Sequence, residues 1–138
     1  MEDVLPVRFD YHALPSRVLF GAGRRRETPE VARQLGCARP LIVSTPEQKD
    51  LAGAIASLFS ASSAHIFPEA AMHTPWDVTS RALAVVQESG VDSLIAVGGG
   101  SAIGLAKALA LRTGLPQIAL PTTYAGSEVT PIIGETQD

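Results

Sequence analysis

Short apolar runs alternate with longer, mixed segments along most of the chain. Four of the runs are rich in branched residues and lack an alternation with polar positions. They are residues 40–44, 64–67, 93–97 and 117–120. This pattern predicts strands that are buried on both faces of a parallel sheet. The mixed segments predict helices at about residues 29–35, 46–59, 75–89 and 101–113.

Threonine-proline pairs and glycines mark the predicted helix ends. A threonine can cap the free amides of a first turn, and proline fits the first helical position. The pairs begin at Thr28, Thr45 and Thr74. Gln48 stands three residues after Thr45, which predicts a capping box there. Three glycines, in which a left-handed conformation costs little, close helices at positions 36, 90 and 114.

The regular alternation of strand and helix predicts an α/β layered domain with right-handed crossovers. Two further strands are expected near the ends. One covers residues 17–21 and pairs with residues 7–11; the other covers residues 129–133 and has no partner after it. A chain of 138 residues is long enough for one domain and not for two, so we expect a single domain over residues 1–138.

Composition and charge narrow the class of protein. Hydrophobic residues make up 46 % and charged residues 18 %, which excludes a disordered chain. A net charge of −3 argues against a nucleic-acid binder, since such proteins cluster Lys and Arg against phosphates. No apolar run reaches the length of about 18 residues that a membrane span needs, and no signal peptide is evident. We therefore expect a cytoplasmic protein without a membrane partner.

The cysteine and histidines do not form a metal-binding pattern. A single cysteine, Cys37, cannot form an internal disulfide, and no His or Lys lies near it to activate a thiolate. His12, His65 and His73 are not paired with one another, or with Cys37, at metal-ligand spacing. The sequence thus predicts a structural thiol and no metal.

A glycine turn is the most informative stretch. Gly98, Gly99, Gly100 and Ser101 join a predicted buried strand to a predicted helix, at the sheet edge where such folds bind ligands. The first amides of that helix and its dipole would face an anion, and a diphosphate fits this chemistry. The stretch matches neither a Walker motif nor the usual dinucleotide fingerprint, so a tight turn without a ligand remains the alternative.

A second polar loop follows the next strand. Thr122, Thr123 and Ser127 offer hydroxyl groups suited to ribose, phosphate or amide contacts. Taken alone, this loop is equally consistent with an ordinary polar surface turn. Two such loops after adjacent strands, both at the ligand-binding edge, favour a shared binding site.

Four segments resemble the iron-containing alcohol dehydrogenase superfamily and, within it, the maleylacetate reductases. They are residues 11–21, 72–75, 98–107 and 120–131. The resemblance implies a Rossmann-like parallel sheet with flanking helices, the amino-terminal half of a two-domain, dehydroquinate-synthase-like fold. It implies NADH- or NADPH-dependent reduction of maleylacetate to 3-oxoadipate in aromatic-compound degradation, by a homo-oligomer such as a dimer. The helical substrate domain is absent from this chain, which is expected to be inactive in isolation.

The resemblance also implies site residues. Gly99, Gly100 and Ser101 would hold the pyrophosphate, with Gly98 leading into the turn. The nicotinamide and ribose side would be formed by Thr122, Thr123, Ser127 and, at the rim, Tyr124.

Three more residues are expected beside the cofactor. His73 stands where many relatives carry an asparagine. Ser44 and Thr45 stand where many relatives carry an acid that recognises the ribose 2′-hydroxyl; both are neutral here, which leaves NADH and NADPH possible. The resemblance implies no metal in the reductase branch, and no residue is assigned a catalytic role.

Two other interpretations stay open. The chain could be a nonenzymatic, truncated nucleotide-binding module that docks on a partner through its unpaired last strand. It could also belong to another iron-type alcohol dehydrogenase or to a dehydroquinate-synthase-like enzyme. Lys107, two turns into the helix after the glycine turn, is expected to pair with a surface acid rather than to touch phosphate.

Overall fold

The computed structural model describes residues 16–137 together with Asp10 and His12. Its centre is a parallel four-stranded sheet with the order β2-β1-β3-β4. The strands are β1 (Pro40–Ser44), β2 (His65–Phe67), β3 (Ser93–Gly98) and β4 (Gln117–Pro121). All four predicted core strands and the parallel α/β architecture are therefore confirmed.

Four α-helices connect and cover the strands. They are α1 (Thr28–Gln34), α2 (Lys49–Ala56), α3 (Trp76–Ser89) and α4 (Gly100–Thr113). Short 3-10 helices lie at Arg24–Glu27, Pro46–Gln48 and Ser127–Val129. The four predicted helices are confirmed. The second is shorter than expected, because its first turn is the separate 3-10 helix and its end comes at Ala56.

The core lies on both faces of the sheet. Leu41 and Val43 pack toward α3 and α4, whereas Ile42, between them, packs toward α2. This follows from the strand geometry, in which successive side chains point to opposite faces. Because both faces are covered, every residue of β1 and β3 is buried, as their continuous apolar runs predict.

Glycine and threonine behave differently at the helix ends. The glycines that follow α1, α3 and α4 adopt positive φ angles of 78°, 63° and 71°, so the predicted left-handed closures are confirmed. The predicted threonine caps are wrong. The Thr28 hydroxyl donates to the Arg25 carbonyl, because the preceding 3-10 helix already makes Thr28 helical. Neither Thr45 nor Pro75, the residue that stands at the cap position of α3, provides a side-chain cap.

The two expected terminal strands do not form in the described residues. Residues 17–20 adopt no regular structure, and their expected partner, residues 7–11, lies outside the described part except for Asp10. Residues 129–133 are not a strand; beyond them, Thr136 makes a single parallel bridge to Pro75. One reason is Pro131, which has no amide to donate to a sheet. No docking edge of the predicted kind therefore exists there.

No helix in the described ranges is long and apolar enough to cross a membrane.

Candidate dinucleotide-binding site

The strand order creates a crevice between β1 and β3. After β1 the chain continues to β2 on one side of the sheet, and after β3 it continues to β4 on the other. The loops after these two adjacent strands therefore diverge, and open α/β sheets bind ligands at such a point. Ser44 lies opposite Val97 in the register, so both loops leave the sheet at nearly the same level.

The three glycines of the turn differ in backbone conformation and in the space around them. Gly98 has a φ of 143°, a conformation that other residues rarely adopt. A Cβ at Gly99 would stand 2.8 Å from the Thr123 Oγ1 atom. A Cβ at Gly100, the first residue of α4, would meet nothing within 4 Å. The space beside Gly100 is thus open to a ligand.

The start of α4 presents free amides to that space. The residue at the cap position, Gly99, has no side chain to cap the helix, and its carbonyl accepts the amide of Ile103 at 3.1 Å. The amides of Gly100 and Ser101 have no acceptor within the helix, as in the first turn of any helix. They lie at the positive end of the helix dipole, so this end of α4 suits an anion.

The structure brings the second polar loop onto the glycine turn. The Thr122 amide donates to the Gly98 carbonyl at 3.0 Å, and Thr123 stands directly beside Gly99. Tyr124 follows with 77 % of its surface exposed. The two loops that the sequence analysis singled out therefore form one surface.

Ser127 lies further along and has a different partner. Its Oγ accepts a hydrogen bond from Lys107 Nζ at 3.1 Å. The same ammonium donates to Thr130 Oγ1 and to the Ile132 carbonyl, both at 3.2 Å. The structure thus places Ser127 against the ammonium group of Lys107 and not on the glycine turn.

The expectation that Lys107 pairs with a surface acid is wrong. Only 7 % of its surface is exposed, because residues 127–132 cover it. Burial lowers the pKa of Lys107, while the nearby charge of Glu128 opposes this shift. A sequence signal exists: Lys107 follows Ile103 by four residues and precedes Ala110 by three, and residues at these spacings share one face of a helix.

A pocket of about 480 Å³ opens beside the glycine turn. Its lining comes from the loop after β1, the loop after β2, α3 and the start of α4. The lining residues are Thr45, Pro46, Glu47, Glu69, Ala70, Ala71, Met72, Arg81 and Ser101. The fold thereby brings Thr45 and Ser101, two of the predicted cofactor residues, into one cavity.

The charged residues of the pocket were missed by the sequence analysis. Glu47 and Glu69 contribute carboxylates, and Arg81 contributes a guanidinium. Arg81 forms ion pairs with Glu69 and, at 3.6 Å, with Asp77. The backbone amide of Glu47 and the Thr45 hydroxyl lower the pKa of the Glu47 carboxyl. Glu69 stands two residues after β2, at the ligand-binding edge, which is the one signal that could have indicated it.

Ser44 and His73 do not line this pocket. The Ser44 side chain is fully buried, and its hydroxyl has no hydrogen-bond partner among the described residues. His73 is exposed with a φ of 64°, and its carbonyl accepts the Thr136 hydroxyl at 3.2 Å. The next residue, Thr74, also has a positive φ, 46°, and is only 4 % exposed. The His73 loop, which is residues 68–75 between β2 and α3, thus packs against α4, because a Cβ at Gly104 would stand 2.7 Å from Thr74 Oγ1.

Cysteine and metal-ligand residues add no second site in the described ranges. Cys37 is buried, and its burial raises the pKa of the thiol, as expected for a structural cysteine. Within residues 16–137, with Asp10 and His12, no three His, Cys, Asp or Glu side chains are grouped to hold a metal ion.

Three comparisons relate the chain to known proteins. The profile of a family described as "Iron-containing alcohol dehydrogenase" matches residues 15–138. The chain is 50 % identical over 132 residues to a maleylacetate reductase of Pseudomonas sp. (strain P51), covering 96 % of this chain and 38 % of that protein. The crystal structure of maleylacetate reductase from Agrobacterium tumefaciens matches with a TM-score of 0.90 at 49 % identity, over 96 % of this chain and 38 % of that one.

A more distant structure was solved with a dinucleotide. Sulfoacetaldehyde reductase from Bifidobacterium kashiwanohense in complex with NAD+ matches with a TM-score of 0.77 at 25 % identity, over 94 % of this chain and 40 % of that one. The chain thus spans about two fifths of the length of each of these relatives. Its parallel α/β fold is the one that the matched part of the relatives has.

Proposed function

Because this chain belongs to the iron-containing alcohol dehydrogenase family, we propose that it forms the NAD(P)-binding part of a maleylacetate reductase. The reaction is the NAD(P)H-dependent reduction of maleylacetate to 3-oxoadipate during the degradation of aromatic compounds. Identity near 50 % to maleylacetate reductases over almost the whole chain supports this branch of the family.

Residues 1–138 would form one domain of a larger, cytoplasmic enzyme. The relatives are longer than this chain, and the part of them that it does not cover would supply the wall of the substrate site. Leu111, Val129 and Ile132 are 69 %, 65 % and 74 % exposed, and such apolar side chains suit a surface that another domain or a second copy covers. A homodimer is the expected assembly.

The glycine turn is the single observation that carries the cofactor assignment. A side chain at Gly100 would occupy the open space beside two unpaired amides, so the backbone forms a cradle that a diphosphate fits. The amides of Gly100 and Ser101 would donate to the diphosphate oxygens. A bound nicotinamide supplies the hydride for the reduction.

The chain's own residues would bind and orient the dinucleotide. Thr123, in contact with Gly99, would support the turn from the side of β4, and Thr122 would keep the two loops together through its bond to Gly98. Thr45 would face the adenosine ribose from the pocket. In this proposal Ser127 and Tyr124 lie toward the nicotinamide side, and no metal takes part.

A charge introduced at Gly100 tests the assignment. In the Gly100→Asp variant, a carboxylate enters the cradle without a steric clash and repels the diphosphate. At a separation of a few ångströms near the surface, this repulsion is worth ~1–3 kcal/mol, which corresponds to about a 5-fold to 150-fold loss of NADH affinity. The measurement is a fluorescence or NMR titration with NADH.

Two matched variants make the result specific. Gly100→Asn has nearly the same shape without the charge and should bind NADH more tightly than Gly100→Asp. Gly53→Asp places the same charge on α2, where a Cβ also meets nothing within 4 Å, and should bind like the unaltered chain. Equal NADH affinity of Gly100→Asp and the unaltered chain would refute the assignment.

A further inference from the structure

We propose that the carboxylates of Glu47 and Glu69 make this site select NADH over NADPH. This inference rests on the proposed function, because it presumes that a dinucleotide binds at the glycine turn. The residues at the end of β1, Ser44 and Thr45, are neutral and give no such preference. The acidic groups come instead from the loop after Thr45 and from the loop after β2.

The pocket places the adenosine ribose next to these acids. Ser101, at the start of α4, lines the same cavity as Thr45, Glu47 and Glu69. A diphosphate held at Ser101 leaves the crevice between β1 and β3 for the sugar that is attached to it. The 2′-position of that ribose is where NADPH carries its additional phosphate.

Among the described residues, Arg81 is the only cation that lines this cavity, and it is already paired with carboxylates. Arg81 forms ion pairs with Glu69 and Asp77, so its guanidinium is shared between two carboxylates. Binding a 2′-phosphate would require Arg81 to leave at least one of them. The lining thus offers hydrogen-bond acceptors to a 2′-hydroxyl and net negative charge to a 2′-phosphate.

Glu47 is held in its ionised form. Its own backbone amide and the hydroxyl of Thr45 lower the pKa of its carboxyl. The charge is therefore present throughout the neutral range, and it stands beside Thr45 at the pocket. The selection does not depend on a proton that would be gained or lost near pH 7.

The test is a comparison of NADH and NADPH binding by NMR titration of the isotope-labelled chain. We expect NADH to bind about tenfold more tightly at low ionic strength, the magnitude that follows from a dianion placed a few ångströms from partly screened carboxylates. Glu69→Gln should reduce the ratio of the two dissociation constants severalfold, because it removes a charge and leaves Arg81 with Asp77 as its one acidic partner. Glu47→Gln should reduce it less, and in both variants the ratio should fall mainly because NADPH binds more tightly.

A salt series and a control variant separate charge repulsion from a structural effect. The preference for NADH should shrink as the salt concentration rises from about 0.01 M to about 1 M, because the Debye screening length falls from ~30 Å to ~3 Å. Glu88→Gln removes an exposed charge on α3 that does not line the pocket, and should leave the ratio unchanged.

The possible failures have different meanings. Equal or tighter binding of NADPH by the unaltered chain, with NADH still bound at Gly100 and Ser101, would overturn the selectivity and leave the proposed function in place. A ratio that is the same in Glu47→Gln, Glu69→Gln and Glu88→Gln would also overturn it. If neither dinucleotide binds, the proposed function fails and the selectivity fails with it.

Discussion

The contact between Gly104 and Thr74 ties the His73 loop to α4, and replacing Gly104 by alanine tests it. A new Cβ would lie 2.7 Å from Thr74 Oγ1, well short of the 3.4 Å at which ordinary contact begins. Thr74 cannot yield easily. It is 4 % exposed, its amide donates to Ala71, and its carbonyl accepts the Thr136 amide.

Two opposing contributions decide the stability of Gly104→Ala. Alanine in a helix interior is favoured over glycine by ~1 kcal/mol. Overpacking a closed contact costs ~1–3 kcal/mol. We therefore expect a net loss of about 1 kcal/mol in the free energy of unfolding, measured by urea denaturation.

A second substitution should reverse the sign. Thr74→Ala removes the Oγ1 atom, so Gly104→Ala in that background should gain up to ~1 kcal/mol from helix propensity. The coupling between the two positions is then ~2 kcal/mol. Gly53→Ala, in α2 with nothing within 4 Å of its new Cβ, is the matched control and should stabilise in either background. If Gly104→Ala alone stabilises as much as Gly53→Ala, the close contact does not exist.

Two further predictions concern a buried lysine and a partly buried carboxylate. Lys107→Met removes three hydrogen bonds to residues 127–132. The rate of amide hydrogen exchange in that segment should therefore rise at least about tenfold, while the amides of α4 stay protected. An unchanged exchange rate would contradict the contact. Burial works against ionisation of Asp92, but hydrogen bonds from the amides of Ala38 and Arg39, each 2.9 Å, outweigh it and lower its pKa. The resulting stability is present above the unfolded pKa of about 3.9 and is lost as pH falls through the lower folded value. Urea unfolding at pH 5 and pH 3 measures this loss. Between these two values, the free energy of unfolding should fall more in the unaltered chain than in Asp92→Asn.

The sheet could be predicted because its signals are local. Leu41, Ile42 and Val43 form an unbroken apolar run, which is what a strand covered on both faces requires. The glycine turn was equally visible, since Gly98 to Gly100 directly join β3 to α4. In each case the residues that carry the signal are neighbours in the sequence.

The errors arose where distant contacts replaced local ones. Residues 129–133 have the apolar character of a strand, but Lys107 donates to the Thr130 hydroxyl and the Ile132 carbonyl of this segment, and Pro131 cannot donate to a sheet. Thr45 and Gln48 have the spacing of a capping box, but the Thr45 hydroxyl interacts with Glu47 instead. Propensity alone does not reveal such competing partners.

The charged residues of the pocket could not be predicted from the sequence, because they too come together through distant contacts. Glu69 and Arg81 are 12 residues apart in the sequence, and their ion pair forms only when α3 packs on the sheet. Ser44 shows the converse case. Its position at the end of the first strand suggested contact with the ribose, whereas the alternation of side chains along β1 directs it into the core.

The most direct test of the cofactor assignment is a crystal structure of this chain with NADH. We expect diphosphate oxygens within hydrogen-bond distance, about 2.7–3.2 Å, of the amide nitrogens of Gly100 and Ser101. A dinucleotide bound elsewhere, with no oxygen near those two amides, would contradict it.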